Sequence, residues 1–410
     1  MENLLPNTQP LSGVQKMNWA RSHMPLLAHI RREIEASQPL AGLTVSASIH
    51  MEAKTAVLME TLAAGGAAVR ATGCNPLSTQ DDVAAALAEV EGVSVFAEHG
   101  VDEAVYRTHL TQTLGDGPDI FIDDGGDLTH LLHHDCRHLL PGVRGGTEQT
   151  TTGVHRLAVL QKAELLALPM VAVNDAQMKY LFDNRYGTGQ SVWDGILRTT
   201  NLAVAGKTVV VAGYGWCGKG VAMRARGLGA RVIVCEINPI RAIEAMMDGF
   251  DALPMIHAAK VGDLFVTVTG CCDVLTAEHF VRMKDGAILC NAGHFDVEIN
   301  LPQLGEDTRP ARHNIVGYTQ PDGRTLYVLG AGRLVNLACA DGHPVEVMDV
   351  SFALQALCVL SIAQHPRRVP GLYSVPAEID QAVATLRLSA MGGGCDDLTP
   401  GQNAYLHGDI

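Results

Sequence analysis

A glycine-rich turn after a short apolar strand constrains this chain more than any other feature. Residues 208–211 are predicted to form a buried β-strand, and the pattern Gly213-x-Gly215-x-x-Gly218 follows it directly. Gly213 permits the tight turn, Gly215 lets the backbone approach a pyrophosphate, and Gly218 lets the next helix pack closely on the strand. A pyrophosphate in this turn would lie at the N-terminus of that helix, whose free N–H groups favour an anion.

The segment after the turn completes the pattern of a dinucleotide-binding unit. A helix is predicted from about Gly218 to about Gly229, and a second apolar run, 232–234, leads to the acid Glu236. Glu236 lies 18 residues beyond Gly218, where an acid hydrogen-bonds a ribose 2′-OH. A carboxylate there would repel the 2′-phosphate of NADP. The unit therefore predicts a domain that binds NAD.

Length and charge limit the class of protein. The 410 residues exceed one typical core, so two domains are expected. A net charge of −14, with no basic run to offset it, argues against nucleic acid and anionic membranes as partners. The ten cysteines show neither a CxxC motif nor zinc-ligand spacing, which favours a reduced, cytoplasmic setting. Residues 1–7 do not resemble a signal peptide, and no run of 18 apolar residues predicts a membrane span.

The residues before the glycine turn carry their own alternation of strands and helices. The predicted elements are strand 43–48, helix 53–62, strand 68–72, helix 81–90, and strands 93–97, 119–122 and 169–173. Such alternation predicts a parallel sheet. The expected fold is α/β, with two doubly wound parallel-sheet domains and the NAD-binding Rossmann domain inserted into a substrate-binding domain. The predicted boundaries are 1–188 and 346–372 for the substrate-binding domain, 189–345 for the NAD-binding domain and 373–410 for a small C-terminal tail.

Polar residues follow three of these strands, and ligands bind at the carboxyl ends of parallel strands. These residues are His50, the run Asp123-Asp124-Gly-Gly-Asp127, and Asn174-Asp175. The aspartates fit either a divalent metal or, with NAD implied, acid–base work or a turn network. The second interpretation is preferred, and no metal site is predicted.

Other polar groups admit both a structural and a functional interpretation. Thr150, Thr151 and Thr152 precede a helix and fit either an N-cap run or a cofactor pocket. His294 follows a predicted strand and is interpreted first as a hydrogen-bonded structural residue. His343, before a proline, indicates little by itself.

Lys179 and Asp183 lie four residues apart on a helix predicted over 176–186, so they share one face. Their spacing is typical of a surface ion pair, which is the preferred interpretation, and a catalytic pair is the alternative.

Many short blocks in one order resemble S-adenosyl-L-homocysteine hydrolase over nearly the whole chain. The blocks are 50–51, 55–56, 74–75, 78–81, Asp123-Asp-Gly-Gly-Asp-Leu-Thr129, Thr150-Thr-Thr-Gly-Val154, 173–175, 182–184, 186–187, 205–207, 248–250, Gly293-His-Phe-Asp-Val-Glu298, Gly332-Arg-Leu-Val-Asn-Leu337 and Gly342-His-Pro344. The chain looks like the compact branch of that family found in archaea and some thermophilic bacteria. The resemblance implies a cytoplasmic, homotetrameric hydrolase of the methyl cycle with tightly bound NAD.

The resemblance also implies a reaction and its residues. NAD⁺ oxidises the ribose 3′-OH, the ketone acidifies the C4′ proton, homocysteine leaves C5′ by elimination, and water addition and re-reduction follow. Lys179 and Asp183 would handle the 3′-OH proton, and Asp124 and His50 would transfer protons at C4′ and C5′. His294 and Phe295 would form the gate to the homocysteine channel, and His294 is counted with the four catalytic residues.

The remaining implied contacts are with substrate and cofactor. The implied substrate-binding residues are Glu52, Lys54, Thr55, Gln149, Phe295, His343 and Met348. The cofactor-binding residues, from the glycine turn and from the resemblance, are Thr150, Thr151, Thr152, Asn184, Gly213, Gly215, Gly218, Glu236, Asn291 and Asn336.

The chain departs from the family pattern at four places. Gln149 replaces a glutamate that contacts the ribose hydroxyls, and because an amide takes no proton, activity is expected to survive with a changed pH profile. Glu52 and Lys54 stand where a threonine and a glutamate or glutamine read the purine 6-substituent. Thr188 replaces a cysteine near the nicotinamide. The chain ends at Ile410, before the family's tail that reaches a neighbouring subunit's NAD.

The sequence leaves three alternatives open. Lys54 offers only donors and would suit the O6 acceptor of hypoxanthine, whereas Glu52 can accept from adenine N6, so S-inosyl-L-homocysteine is the alternative substrate. The nucleoside product would be adenosine or inosine, released with homocysteine. A 2-hydroxyacid dehydrogenase has a similar domain arrangement, but no segment clearly supplies its arginine and His–Glu pair. A catalytically silent, NAD-sensing relative is favoured by Gln149 alone.

Overall fold

The chain builds two β-sheets, each covered by helices. The computed structural model describes residues 10–365 and 368–408, so residues 1–7 and Ile410 lie outside the described residues. The strands are β1 (Thr44–Ser48), β2 (Ala68–Thr72), β3 (Val93–Val95), β4 (Ile120–Asp123), β5 (Gly145–Glu148), β6 (Pro169–Ala172), β7 (Thr208–Ala212), β8 (Arg231–Cys235), β9 (Asp251–Ala252), β10 (Leu264–Thr267), β11 (Ile288–Asn291), β12 (Thr308–Arg312), β13 (Ile315–Thr319), β14 (Thr325–Leu329) and β15 (Gly371–Ser374).

The α-helices connect and cover these strands. They are α1 (Pro10–Ser22), α2 (Pro25–Ser37), α3 (Ala53–Ala64), α4 (Asp81–Ala88), α5 (Glu103–Leu114), α6 (Asp127–His133), α7 (Thr151–Lys162), α8 (Gln177–Lys179), α9 (Thr188–Thr200), α10 (Trp216–Gly227), α11 (Pro239–Met247), α12 (Met255–Ala258), α13 (Ala277–Phe280), α14 (Leu301–Leu304), α15 (Val335–Ala338), α16 (Val345–Gln364), α17 (Ala377–Ala390) and α18 (Pro400–His407).

The first sheet is parallel, in the strand order β15-β6-β5-β4-β1-β2-β3. All residues of β4 and β5 are buried, as expected for the centre of a sheet covered on both faces. The predicted strands of this sheet are confirmed to within a few residues. The sequence analysis missed β5, because Gly-Gly-Thr-Glu carries no apolar residue, and β15, which returns to this sheet from the C-terminal side.

The second sheet has the order β12-β13-β14-β11-β10-β7-β8-β9 and is mixed. Its central strands are parallel, but β12, β13 and β14 form an antiparallel ribbon at one edge. The prediction of a wholly parallel second sheet was therefore wrong at this edge, where short connections between successive strands enforce antiparallel pairing. The α/β class and the Rossmann-type order around β7 are confirmed, and the domain boundaries stay a prediction.

The segment that leads from the first sheet into the second differs from the helix predicted over 176–186. It contains a 3₁₀ turn (Val173–Asp175), α8 and a π-helix over Tyr180–Gly187. The π-helix contacts α10 backbone to backbone, because a Cβ at Gly220 would lie 1.7 Å from the carbonyl oxygen of Arg185. This close contact holds the segment against the helix that follows the glycine turn.

Helix α16 runs through the core of the first domain. By length and composition it is the one helix of the described chain that could cross a membrane, and 67% of its most apolar window is buried inside the protein. Buried polar residues interrupt its apolar sequence; they are Asp349, Ser351 and Gln355. Asp349 accepts hydrogen bonds from the N–H groups of Leu26 and Leu27 at 2.9 and 3.0 Å, which fixes α16 to the first turn of α2.

Candidate active site

The carboxyl ends of the first sheet bring the predicted polar residues together, facing the second domain. His50 follows β1, Asp124 follows β4, and Asn174 follows β6. Two further residues at strand ends join them, Cys74 after β2 and Gln149 after β5. The rule that ligands bind beyond the carboxyl ends of parallel strands therefore locates the site.

Lys179 and Asp183 form a buried pair. The Lys179 Nζ and Asp183 Oδ1 atoms are 3.6 Å apart, and both side chains are only 5% exposed. The preferred interpretation as a surface ion pair was therefore wrong. Lys179 Nζ also donates to Asn184 Oδ1 at 2.8 Å and to Asn174 Oδ1 at 3.2 Å, so the ammonium is fixed on three sides.

Asp183 is surrounded by donors. His343 Nδ1 lies 3.0 Å from Oδ1, Ser351 Oγ donates to Oδ2 at 2.6 Å, and Gln149 Nε2 donates at 3.4 Å. Burial raises the pKa of Asp183, but the charge of Lys179 and the contacts of His343 and Ser351 outweigh it and hold the pKa below its usual range. Asp183 is therefore a carboxylate across the pH range in which proteins work.

His343, which the resemblance assigns to the purine side, contacts this carboxylate. Its Nε2 atom lies 3.2 Å from Thr188 Oγ1. With Nδ1 turned to Asp183, the ring links α9 to the π-helix. Ser351, which the sequence analysis did not select, could have been found as one of the few polar residues in the mainly apolar sequence of α16.

A second acid–base group surrounds Asp124. His50 Nε2 lies 3.9 Å from Asp124 Oδ2, and His294 Nδ1 lies 4.0 Å from Asp124 Oδ1. Cys74 Sγ lies 3.2 Å from His50 Nδ1. In the described part of the chain Asp124 Oδ1 has no hydrogen-bond partner, although it is buried. An acceptor left free in this way is available to a ligand.

Burial shifts the titration of these groups toward their neutral forms. It lowers the pKa of His50 to about 4 and lowers that of His294, and it raises the pKa of Asp124. Both imidazoles are therefore neutral near pH 7. The ligand atoms of His50, Cys74 and Asp124 lie within 4.8 Å of one another, a spacing that would also suit a soft divalent ion.

The other two aspartates of the run serve the turn. Asp123 accepts from Thr129 N at 2.8 Å and from Thr129 Oγ1 at 2.7 Å, and Asp127 accepts from Tyr106 Oη at 2.8 Å. Burial raises the pKa of Asp123 to about 7. These contacts support the turn network rather than a metal site.

Glu52 and Lys54 form a buried ion pair, with 2.6 Å between Glu52 Oε2 and Lys54 Nζ. Lys54 also donates to the carbonyl oxygens of Asp341 and His343, both at 2.8 Å. An ammonium has three N–H donors, so each donor of Lys54 has a protein partner. The interpretation of Lys54 as a free reader of hypoxanthine O6 therefore requires one of these bonds to be exchanged.

A cavity of about 440 Å³ opens between the two domains beside this pair. Thr55 is fully buried, and its hydroxyl donates to the carbonyl oxygen of His50 at 2.6 Å. Met348 is buried on α16. Residues of both domains line the cavity, among them His50, Glu52, Leu337 and Asp341.

The glycine turn has the shape that a dinucleotide requires. Gly213 has φ +102°, and a Cβ at Gly218 would lie 2.0 Å from Gly213 O, so both positions need glycine. A Cβ at Gly215 would meet no protein atom within 4 Å. The space in front of Gly215 is thus open for a pyrophosphate at the N-terminus of α10, which begins at Trp216, two residues earlier than predicted.

Glu236 and Asn336 extend this cradle. Glu236 Oε2 accepts from Tyr214 N at 2.7 Å, which places the acid against the turn at the end of β8. Asn336 donates to Ser191 Oγ at 3.1 Å, and its buried Oδ1 atom has no partner among the described residues. Such an orphaned acceptor fits a cofactor amide.

Other predicted cofactor contacts have partners within the protein. Thr150 is the N-cap of α7 and accepts from Gly153 N at 3.0 Å, which supports the N-cap interpretation. Thr151 donates to Asn174 Oδ1 at 3.3 Å. Asn291 uses its amide to close its own loop, donating to Phe295 O at 2.8 Å. No hydrogen bond of the Thr152 side chain is described, and the roles of all these residues stay predictions.

The fold and the site together define an α/β enzyme with an NAD-binding domain, in which the helix after the dinucleotide turn packs against the segment that carries the buried Lys179–Asp183 pair. The chain belongs to the S-adenosyl-L-homocysteine hydrolase family. The family model "S-adenosyl-L-homocysteine hydrolase" matches residues 8–139, and "S-adenosyl-L-homocysteine hydrolase, NAD binding domain" matches residues 184–342. The family, the hydrolase class and the NAD-binding domain inferred from the sequence are confirmed.

Relatives with curated names cover nearly the full chain. S-inosyl-L-homocysteine hydrolase of Methanosarcina mazei is 58% identical over 97% of both chains. Adenosylhomocysteinase of Thermotoga maritima is 52% identical over 96% of this chain and 98% of its own, and that of Pyrococcus abyssi is 54% identical over 96% and 94%. A dipicolinate synthase polypeptide of Bacillus halodurans shares the fold alone, with a TM-score of 0.50 and 12% identity over 79% of this chain and 99% of its own.

Proposed function

We propose that this chain catalyses the reversible hydrolysis of S-adenosyl-L-homocysteine to adenosine and L-homocysteine, as a cytoplasmic homotetramer. One observation carries the proposal. The buried Lys179–Asp183 pair lies on the segment that leads from the end of β6 to α9, and this segment packs against α10, the helix after the dinucleotide turn, through the contact of Gly220 with Arg185. The relatives named adenosylhomocysteinase support it.

Lys179 and Asp183 would act at the ribose 3′-oxygen. Bound NAD would supply the hydride acceptor for C3′ and return the hydride at the end of the cycle. Lys179 is held by Asn174 and Asn184 and has one neighbouring carboxylate, so it is placed to exchange a proton with the substrate hydroxyl. Asp183 remains ionised and stabilises the positive charge of Lys179 whenever Lys179 holds the proton.

Asp124, His50 and His294 would move protons at C4′ and C5′. A neutral imidazole can accept a proton, and both histidines are neutral near pH 7 because burial lowers their pKa values. Asp124, whose pKa burial raises, can hold a proton and deliver it to a leaving thiolate. The ring nitrogens of His50 and His294 lie 3.9 and 4.0 Å from the Asp124 oxygens, which is beyond hydrogen-bond distance, so a substrate atom or a water molecule would bridge them during proton transfer.

Gln149 would orient the pair without sharing its protons. Its Nε2 donates to Asp183, and its Oε1 accepts from Gln355 at 2.7 Å, so both ends of the amide are fixed. Because Gln149 carries an amide, Asp183 is the carboxylate that contacts Lys179 in the described part of the chain. This arrangement argues against a catalytically silent relative, because Gln149 still hydrogen-bonds Asp183 and Gln355.

A second candidate substrate is S-inosyl-L-homocysteine. A Glu–Lys pair offers one acceptor and one donor, which would complement N6–H and N1 of adenine or N1–H and O6 of hypoxanthine. All three donors of Lys54 have protein partners, so Glu52, which lines the cavity, is the member of the pair that can accept directly, from N6–H of adenine or from N1–H of hypoxanthine. The name of the Methanosarcina mazei relative favours the inosyl compound for that protein.

Homocysteine release from the two thioethers, measured side by side with a thiol assay on NAD-loaded protein, tests the function. We expect faster release from the adenosyl compound. In Glu52→Gln, whose amide can present either a donor or an acceptor, the preference should shrink. Faster release from the inosyl compound would establish the second candidate, and release from neither would refute the hydrolase function.

A further inference from the structure

One arginine of the first domain contacts the loop of the second domain that carries His294 and Phe295. Arg156 lies on α7, and its guanidinium carbon is 4.9 Å from the centre of the Phe295 ring. Its Nη1 atom also donates to the carbonyl oxygen of Gly125 at 2.7 Å. The same side chain therefore contacts the gate loop and the turn that carries Asp124.

The gate loop rests on that turn. A Cβ at Gly125, which has φ +103°, would lie 2.6 Å from His294 Nε2, so glycine permits the histidine to approach the backbone. His294 in turn packs edge-on against Phe295, with 4.6 Å between ring centres and 88° between planes. Gate loop, turn and arginine thus form one packed group across the cleft.

We propose that Arg156 is the latch that keeps the gate loop closed on the first domain. The planar guanidinium can donate in its plane to Gly125 while its face covers the aromatic ring, a combination that lysine cannot reproduce. The role rests on the proposed function, because the gate matters for a thioether hydrolase that must retain its oxidised nucleoside.

A simple surface ion pair does not account for these contacts. Arg156 also lies 3.3 Å from Asp127, and its side chain is 46% exposed. Exposed ion pairs of this kind contribute little. The shorter bond runs to the backbone carbonyl of Gly125, and the guanidinium carbon lies over the ring of Phe295 on the other domain.

The latch would determine how often the oxidised nucleoside dissociates before the reaction cycle is complete. Bound NAD would accept the hydride of the 3′-oxidation, and the proton would pass to the protein. Loss of the ketone before re-reduction would leave those two electrons on the cofactor, so the protein would remain in the reduced form. Weakening the latch should therefore increase both the rate of homocysteine dissociation and the fraction of stranded protein.

The test compares Arg156→Gln, Phe295→Leu, the double variant and the control Arg107→Gln. Arg107 is an exposed arginine that pairs with Asp135 away from the cleft. For each protein we would measure the KM for homocysteine in the synthetic direction, the melting temperature, and the reduced-nicotinamide absorbance that persists once substrate is exhausted. Release of homocysteine by the unmodified protein checks the proposed function separately.

We expect Arg156→Gln to raise the KM about two- to fivefold and to increase the persistent absorbance, at an unchanged melting temperature. Phe295→Leu should do the same, and the double variant should be no worse than the more affected single variant, because both remove one interaction. Arg107→Gln should match the unmodified protein. Normal KM and normal absorbance in Arg156→Gln, or additive effects in the double variant, would overturn the latch while leaving the hydrolase function intact.

Discussion

Replacing Lys179 with methionine is expected to abolish the reduction of bound NAD when adenosine is added. The ammonium lies at the centre of the site, with Asn174, Asp183 and Asn184 around it, and in the described residues no second lysine makes these contacts. Loss of a general acid–base group lowers rates by about 10²–10⁴-fold. The measurement is the reduced-nicotinamide absorbance after mixing NAD-loaded protein with adenosine.

Two companion variants separate the chemistry from the structure. Methionine leaves the buried Asp183 without its cation, which can destabilise the protein by about 3–5 kcal/mol. Lys179→Arg keeps the charge but cannot release a proton, so it should fold and still fail to reduce NAD. Lys162→Met, on the exposed side of α7, should reduce NAD normally. Near-normal reduction in Lys179→Arg would remove Lys179 from the proton transfer.

Replacing Gly215 with alanine is expected to weaken NAD binding without unfolding the protein. The new Cβ would meet no protein atom within 4 Å, and the backbone, at φ −71° and ψ −171°, suits alanine. The methyl group would occupy the space that the pyrophosphate needs. An overpacked contact of this kind costs about 1–3 kcal/mol, so the Kd for NAD should rise about tenfold to a hundredfold.

Two other glycines of the same turn and helix serve as controls for this result. Gly227→Ala, at the end of α10, meets open space and should change neither NAD affinity nor melting temperature. Gly218→Ala would force a Cβ to 2.0 Å from Gly213 O and should lower the melting temperature as well as the affinity. Unchanged NAD binding in Gly215→Ala, measured by calorimetry on cofactor-free protein, would show that the dinucleotide does not bind at this turn.

The sequence predicts well those parts of the fold that one local pattern determines. The strand–turn–helix around Gly213 and the strand ends that carry His50 and Asp124 follow from apolar runs and turn residues, and these alone locate the site. The exposed strand β12, Thr-Arg-Pro-Ala-Arg, has no such pattern and pairs because a short hairpin returns the chain. Its edge position was therefore not predictable from residue type.

The chemistry of individual side chains depends on burial and partners that spacing does not reveal. The four-residue spacing of Lys179 and Asp183 is the same for a surface pair and for a buried one, and only the burial of the two side chains and their contacts with distant residues distinguish them. Lys54 illustrates the same limit, since its three partners include two backbone carbonyls far along the chain. The sequence alone does not show that these carbonyl groups lie close enough to accept hydrogen bonds from Lys54.

The most direct test of oxidation at the 3′-position compares adenosine and inosine with their 3′-deoxy analogues on the unmodified, NAD-loaded protein. We predict that a nucleoside with a 3′-OH produces reduced-nicotinamide absorbance and that the matching 3′-deoxy compound, which lacks the hydroxyl assigned to Lys179 and Asp183, produces none. An equal rise with the 3′-deoxy compounds, or no rise with either nucleoside in protein shown to contain NAD, would contradict oxidation at the 3′-position.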